Sequence, residues 1–164
     1  MALLIASTTT PVGTLNLIAD GDLLLGANLS SIRTLKAGLD SIYKGSDFKE
    51  RRKIPVISDL IEDYFDGDLN AINEIKVSQP GGAFSQAAWK SMRRIRAGKV
   101  ISYADLAKNS GNPKAVRAAG SACAKNAIML VVPCHRIVKT GGALGNYAYG
   151  VNKKEWLLRH EGLA

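Results

Sequence analysis

The chain is poor in the residues that staple small extracellular domains and in those that bind metals. Its 164 residues include 2 cysteines and 2 histidines, and none of the four lies before residue 123. Two thiols cannot build a disulfide framework, and residues 1–122 cannot supply a zinc site of cysteine and histidine ligands. Apolar runs such as Ala127 to Val132 fall far short of the roughly 20 residues needed to cross a bilayer. The opening Met1-Ala2-Leu3-Leu4-Ile5-Ala6 lacks the basic region of a secretion signal. The expectation is an intracellular, cytoplasmic protein with no membrane partner, whose Cys123 and Cys134 stay as thiols. Internal repeats and low-complexity tracts are missing as well.

Acidic residues are scarce in one half only. Residues 1–79 hold 8 Lys/Arg against 11 Asp/Glu, whereas residues 80–164 hold 14 against 3, within an overall net charge of +8. A basic half-chain points to a polyanion, most commonly nucleic acid. The chain is 46% hydrophobic, which suits one domain or two small ones sharing an interface.

The most informative stretch is Val131-Val132-Pro133-Cys134-His135-Arg136-Ile137. The thiolate is the reactive form of cysteine, and an adjacent imidazole favours it. Pro133 restricts the loop that presents the thiol. A buried cysteine more often behaves as a small hydrophobe, so the surrounding residues decide its meaning.

Residues 1–30 read as short strands, with a turn at Asp20-Gly21-Asp22. The spacing predicts a helix over Ser31–Lys44, a polar loop over Gly45–Lys53 and an amphipathic helix through Ile57, Leu60, Ile61, Tyr64 and Phe65. Asn73–Val77 suggests a further strand, and Ser78-Gln79-Pro80-Gly81-Gly82 a linker. The expected fold is α/β (α+β): an N-terminal strand-and-helix domain over 1–79, structural in role, and a mostly helical domain over 80–164. In the latter, Phe84–Arg96 reads as a helix. Ser102-Tyr103-Ala104-Asp105 has the capping-box pattern ahead of a short helix. After Asn109-Ser110-Gly111-Asn112, a second helix is predicted from Pro113, capped by Asn112, to about Lys125. Val116, Ala119 and Cys123 fall on one side of it; Lys114, Arg117, Ser121 and Lys125 fall on another. This is a helix-turn-helix candidate whose small residues allow close approach to a groove. Ala127–Val132 is expected to run extended into Pro133-Cys134. Asn152 is expected to cap a last helix, and Glu161 at its end could orient His135 in a Cys-His-Glu relay.

Taken together, Ile101-Ser102-Tyr103, Gly111-Asn112-Pro113-Lys114-Ala115-Val116-Arg117-Ala118, Pro-Cys-His-Arg, Gly145-Asn146-Tyr147 and Glu155-Trp156-Leu157-Leu158 with His160-Glu161-Gly162 resemble the O6-alkylguanine-DNA alkyltransferase family. The resemblance runs from about Phe84 to Gly162 and is looser before that. It implies irreversible, single-turnover transfer of an alkyl group from O6-alkylguanine in double-stranded DNA, with O4-alkylthymine left open, to Cys134. The base is flipped out of the duplex because a stacked base is out of reach. The helix-turn-helix binds the minor groove through Arg117, Ser102, Lys114, Ser121 and Ala118, with Arg117 filling the vacated stack. Tyr103 donates to the guanine, Asn126 braces the turn, and His135, held through water by Glu161, takes the thiol proton. Tyr147, Ala148, Tyr149, Ile137 and Met129 line the base pocket. No cofactor and no metal are implied, and a monomer fits, with clustering on DNA left open. Ala148 stands where serine is frequent and Tyr149 where glycine is, and the latter bulk should disfavour large adducts. Other readings stay open: a non-catalytic lesion-binding protein, a helix-turn-helix regulator and a Cys-His hydrolase.

Overall fold

The computed structural model describes residues 2–163, and its chain divides into two compact units. The first comprises Met1–Pro80 with Ala127–Val131; the second comprises Gly81–Asn126 with Val132–Ala164. The architecture is α+β. Among the described residues, no helix is long and apolar enough to cross a membrane.

The first unit is a five-stranded sheet with helices. Strands β1 (Ala2–Thr10), β2 (Gly13–Asp20) and β3 (Leu23–Asn28) form an antiparallel meander. Helix α1 (Ile32–Ala37) follows, then β4 (Asp47–Glu50), α2 (Ile57–Phe65) and β5 (Lys76–Val77). The sheet order is β4-β1-β2-β3-β5, with the two edge strands pairing parallel to β1 and β3. Every residue from Leu15 to Ala19 on the central strand is buried, so both sheet faces are covered there. On one face Leu3, Ile18, Leu25 and Leu35 form a core cluster. Gly26 permits it: a Cβ at that position would lie 2.9 Å from Leu35 Cδ2 and 3.0 Å from Ile18 Cγ2. Helix α2 buries Ile57, Ile61 and Tyr64, the spacing read from the sequence.

Three expectations for this unit need correction. The helix from Ser31 stops at Ala37, and Ser41–Tyr43 is a separate 3-10 turn capped by Asp40. The backbone N–H of Gly38 bonds back to Thr34 and Leu35, closing the helix early. The polar 45–53 segment holds an edge strand, whose exposed charged residues left no alternation to read. Ala71–Glu74 is a 3-10 turn and only Lys76–Val77 is strand.

The unit also receives a distant segment. Ala27 N–H donates to Ala127 O (2.8 Å), Met129 N–H donates to Ala27 O (3.0 Å), and Ala127 N–H donates to the buried Gln79 side chain (2.8 Å). Residues 127–132 are therefore not extended as expected. Val131 N–H bonds to Met129 O, closing a γ-turn at Leu130, whose φ is +72°. Met129 is 1% exposed in this packing, and its side chain belongs to the first unit.

In the second unit, α3 (Ala83–Arg93) buries Ala88, Trp89 and Met92. Trp89 Nε1 donates to Ala122 O (2.9 Å), fixing α3 against α5 (Val116–Lys125). Strand β6 (Ile101–Ser102) pairs parallel with β7 (Ile137–Val138), and α4 (Tyr103–Asn109) and α6 (Val151–His160) complete the unit. The capping box at α4 is present: Ser102 Oγ accepts from Asp105 N–H, and Asp105 accepts from Ser102 N–H. Helix α5 starts at Val116 rather than Pro113. Asn112 accepts from Lys114 N–H, and so caps the turn and not the helix. Gly150, not Asn152, precedes α6.

Candidate active site

The loop that carries Cys134 is built from tight turns. Pro133, at φ −84° and ψ 69°, lets Cys134 N–H bond to Val132 O (2.8 Å). Cys134–Arg136 then form a 3-10 turn that runs into β7. Asn126, at the end of α5, donates from Nδ2 to Val132 O (2.8 Å) and so pins the two ends of the 127–131 excursion. Cys134 itself is 8% exposed. Burial pushes its thiol pKa up, while a hydrogen bond from the Asn126 side chain and the Lys154 ammonium pull it back.

Behind the thiol lies a fully buried ionic group. Arg136 Nε and Nη2 each approach a Glu161 oxygen at 2.9 Å, and Nη1 donates to Ile95 O at 2.7 Å. His135 Nε2 is 2.8 Å from Glu161 Oε2, a direct contact in place of the water-mediated one expected. Burial would raise the Glu161 carboxyl, but the hydrogen bonds of His135 and Arg136 and the charge of Arg136 outweigh it and hold the carboxyl far below the usual carboxylate range. An ionised Glu161 only accepts hydrogen bonds, so His135 carries its proton on Nε2. Burial lowers the imidazole pKa, which keeps the ring neutral near pH 7. Nδ1 is then a bare lone pair, buried and without a hydrogen-bond partner among the described residues. The group is set to receive one proton.

Lys154 is a second buried cation, 0% exposed. Its Nζ donates to Ile137 O (2.6 Å) and Asn146 O (3.2 Å) and lies 6.0 Å from the Tyr103 ring centroid. Burial lowers its pKa, and the charges of Cys134 and Cys123 oppose that. It joins β7 to the 139–150 loop and places positive charge near the thiol.

A cleft of about 700 Å³ opens over Cys134. It brings together Tyr103, Arg117, Ser121, Tyr147 and Ala148 of the residues singled out from sequence. Gly145 lets the loop close on Tyr103, since a Cβ there would lie 3.3 Å from the ring and the hydroxyl. The Tyr103 hydroxyl, pushed up to about 12 chiefly by burial, remains a donor at neutral pH. Ala118 is exposed on the same helix as Arg117 and Ser121, and Lys114 is exposed in the turn that precedes it. The buried face of α5 is Ala119 and Ala122, while Val116 is 41% exposed. Ser102 is occupied as a helix cap.

Three pocket expectations are not met by direct lining. Met129 packs in the first unit. Ile137 is fully buried in β7 and contributes its carbonyl to Lys154. Tyr149 does not line the cleft but meets Tyr147 edge-on, with ring centroids 5.5 Å apart at 74°. Arg136, Lys154, Cys123 and Lys139 were missed. Lys154 had a signal: it sits three and four residues before the buried Leu157 and Leu158, on the apolar stripe of α6. Among the described residues there is no cluster of three or more metal-binding side chains.

Fold and site define a helical domain that presents a buried cysteine next in sequence to a buried His135–Glu161–Arg136 group. Residues 83–163 match the model of the 6-O-methylguanine DNA methyltransferase DNA-binding domain. The methylated-DNA–protein-cysteine methyltransferase of Methanosarcina acetivorans is 34% identical over 153 residues, covering 93% of this chain and 94% of that protein. That of Shigella flexneri is 44% identical over 106 residues, covering 65% of this chain; the match spans 62% of that relative's length. The crystal structure of Mycobacterium tuberculosis OGT in complex with DNA superposes with a TM-score of 0.80 at 27% identity, over 96% of this chain and 92% of that one. The chain belongs to the methylated-DNA–protein-cysteine methyltransferase family.

Proposed function

We propose that this protein repairs DNA by moving the alkyl group of O6-alkylguanine onto Cys134, once per molecule. The observation that carries the reading is the buried His135–Glu161–Arg136 group directly after Cys134 in the chain, in which His135 Nδ1 has no hydrogen-bond partner among the described residues. The thiol proton passes to that nitrogen. The thiolate sulfur attacks the alkyl carbon, an S–C bond forms, the O6–C bond breaks, and its electron pair returns to the guanine. Tyr103, still protonated, donates to the purine and offsets the charge that develops there. Imidazolium formation is favoured by Glu161, which is already ionised. The stable thioether explains why no turnover is expected.

The basic face of α5 supplies the DNA contact. Arg117 and Ser121 lie on the cleft, and Lys114 is exposed in the turn just ahead of the helix. The helix approaches the minor groove, and the target base enters the cleft by flipping. The protein acts as a monomer in the cytoplasm without a cofactor, and the first unit has a structural role. Support comes from the relatives' names and from the mycobacterial complex with DNA. The test is a single-turnover assay with a duplex bearing O6-methylguanine. Transfer that stops at one methyl per protein and is lost in Cys134→Ala supports the reading. Tight binding without transfer would mean a lesion sensor and overturn it.

A further inference from the structure

The chain has 2 cysteines, and both line the cleft over the proposed acceptor. Cys134 enters it from the 3-10 turn and Cys123 from the last turn of α5, where it is half-buried. The proposed transfer has no use for Cys123. Each thiol is within electrostatic reach of the other, and the Tyr103 hydroxyl feels both.

We propose that Cys123 is a resolving thiol: a hydroperoxide oxidises Cys134, and Cys123 then closes a reversible Cys123–Cys134 disulfide across the cleft. The inference rests on reading Cys134 as the reactive thiol. In the first step the Cys134 sulfur attacks the peroxide oxygen. The O–O bond breaks, the peroxide is reduced to water or an alcohol, and Cys134 becomes a sulfenic acid. In the second step the Cys123 sulfur attacks the sulfenic sulfur, the S–O bond breaks, and the hydroxyl leaves as water with the Cys123 proton.

The order of events follows from the surroundings. Burial pushes the Cys134 thiol up, but only Cys134 has the Asn126 hydrogen bond, with the Lys154 ammonium, to pull it back. Cys123 is pushed up to about 12 by burial and by the charge of Cys134. Once Cys134 is a neutral sulfenic acid that second contribution is gone, and Cys123 faces an electrophilic sulfur across the cleft that both residues line. The disulfide would shield the acceptor from irreversible sulfinic and sulfonic oxidation and hold it unreactive until reduced.

The experiment treats the full chain with hydrogen peroxide, blocks remaining thiols with iodoacetamide and digests with trypsin without reductant. Cleavage after Arg117, Lys125 and Arg136 puts the two cysteines on separate peptides, 118–125 and 126–136. The expected result is those peptides joined with the loss of two hydrogens, a monomer on a non-reducing gel, and methyl acceptance that is lost and then restored by dithiothreitol. In Cys123→Ser, the same treatment drives Cys134 to sulfinic and sulfonic acid, and dithiothreitol restores none of that variant's own starting acceptance. Two blocked thiols, a disulfide-linked dimer, or equal recovery in Cys123→Ser overturns the proposal. A chain that accepts methyl but forms no disulfide removes this inference alone. A disulfide in a chain that accepts no methyl removes the alkyl-acceptor reading instead.

Discussion

Replacing Glu161 by glutamine removes the charge that Arg136 and His135 share in a space closed to water. The amide can satisfy one oxygen's worth of acceptors, and its NH2 faces a cation. The methyl-transfer rate constant of Glu161→Gln should fall about 100-fold, the low end of what a positioned base contributes, read by single-turnover kinetics. Removing the other partner, Arg136→Met, strands the carboxylate in the interior. That variant should lose about 3–5 kcal/mol of stability to urea; a loss under about 1 kcal/mol would mean that water reaches Glu161. The same carboxylate sets the acid sensitivity of the fold. Its pKa is depressed in the folded chain, so its contribution is complete above the unfolded value of 4.5 and is lost as pH falls below it. His135 acts in the same direction from its ordinary 6.5 downward, because the folded state disfavours its protonation. Stability should therefore decline as pH drops below about 6.5, and more steeply below about 4.5, and Glu161→Gln should flatten the second phase. Tyr149 belongs to this scale too. Its ring meets that of Tyr147 edge-on, and its hydroxyl is pushed up to about 12 by burial and by the charge of Cys134. Wild-type protein should react more slowly with O6-benzylguanine than with the methyl substrate, and Tyr149→Gly should narrow the gap; equal wild-type rates would refute this.

At the level of elements, what could be read in the sequence was local and what could not was paired at a distance. Helix α2 and the Ser102–Asp105 capping box are encoded within a few residues, and both are where the pattern put them. The His135–Glu161 contact was legible because an acid is rare in the basic half. Arg136 was visible but uninterpretable, since its partner lies 25 residues on and its burial depends on Ile95. Strands β6 and β7 are two residues each and pair Ile101 with Ile137, too short for any periodicity. The stretch from Ala127 looked like a strand because it is apolar throughout; the +72° φ of Leu130 turns it instead. The start of α5 was misplaced because Asn112 and Pro113 suit a turn as well as a cap. The exposed turn ahead of that helix carries a prediction of its own. Lys114→Ala should weaken DNA binding alike for damaged and undamaged duplexes and reduce the salt slope by about one ion, as loss of a phosphate contact does. Loss of lesion preference alone would place Lys114 on the base.

For the molecule as a whole, packing and chemistry are divided between the units. The first unit holds its sheet closed with small residues, and Gly26→Ala should cost about 1–3 kcal/mol by overpacking Leu35 and Ile18, measured by thermal or urea unfolding. The second unit carries the thiol, both buried cations and the basic face. The central claim is that this second unit spends one of its two thiols, Cys134, once. The measurement that tests it most directly is peptide mass spectrometry after mixing the protein with excess duplex bearing O6-methylguanine. The account predicts a single methyl on peptide 126–136, at a limit of one per protein, and none in Cys134→Ala. A methyl elsewhere, continued turnover, or tight binding with an unchanged mass would contradict it.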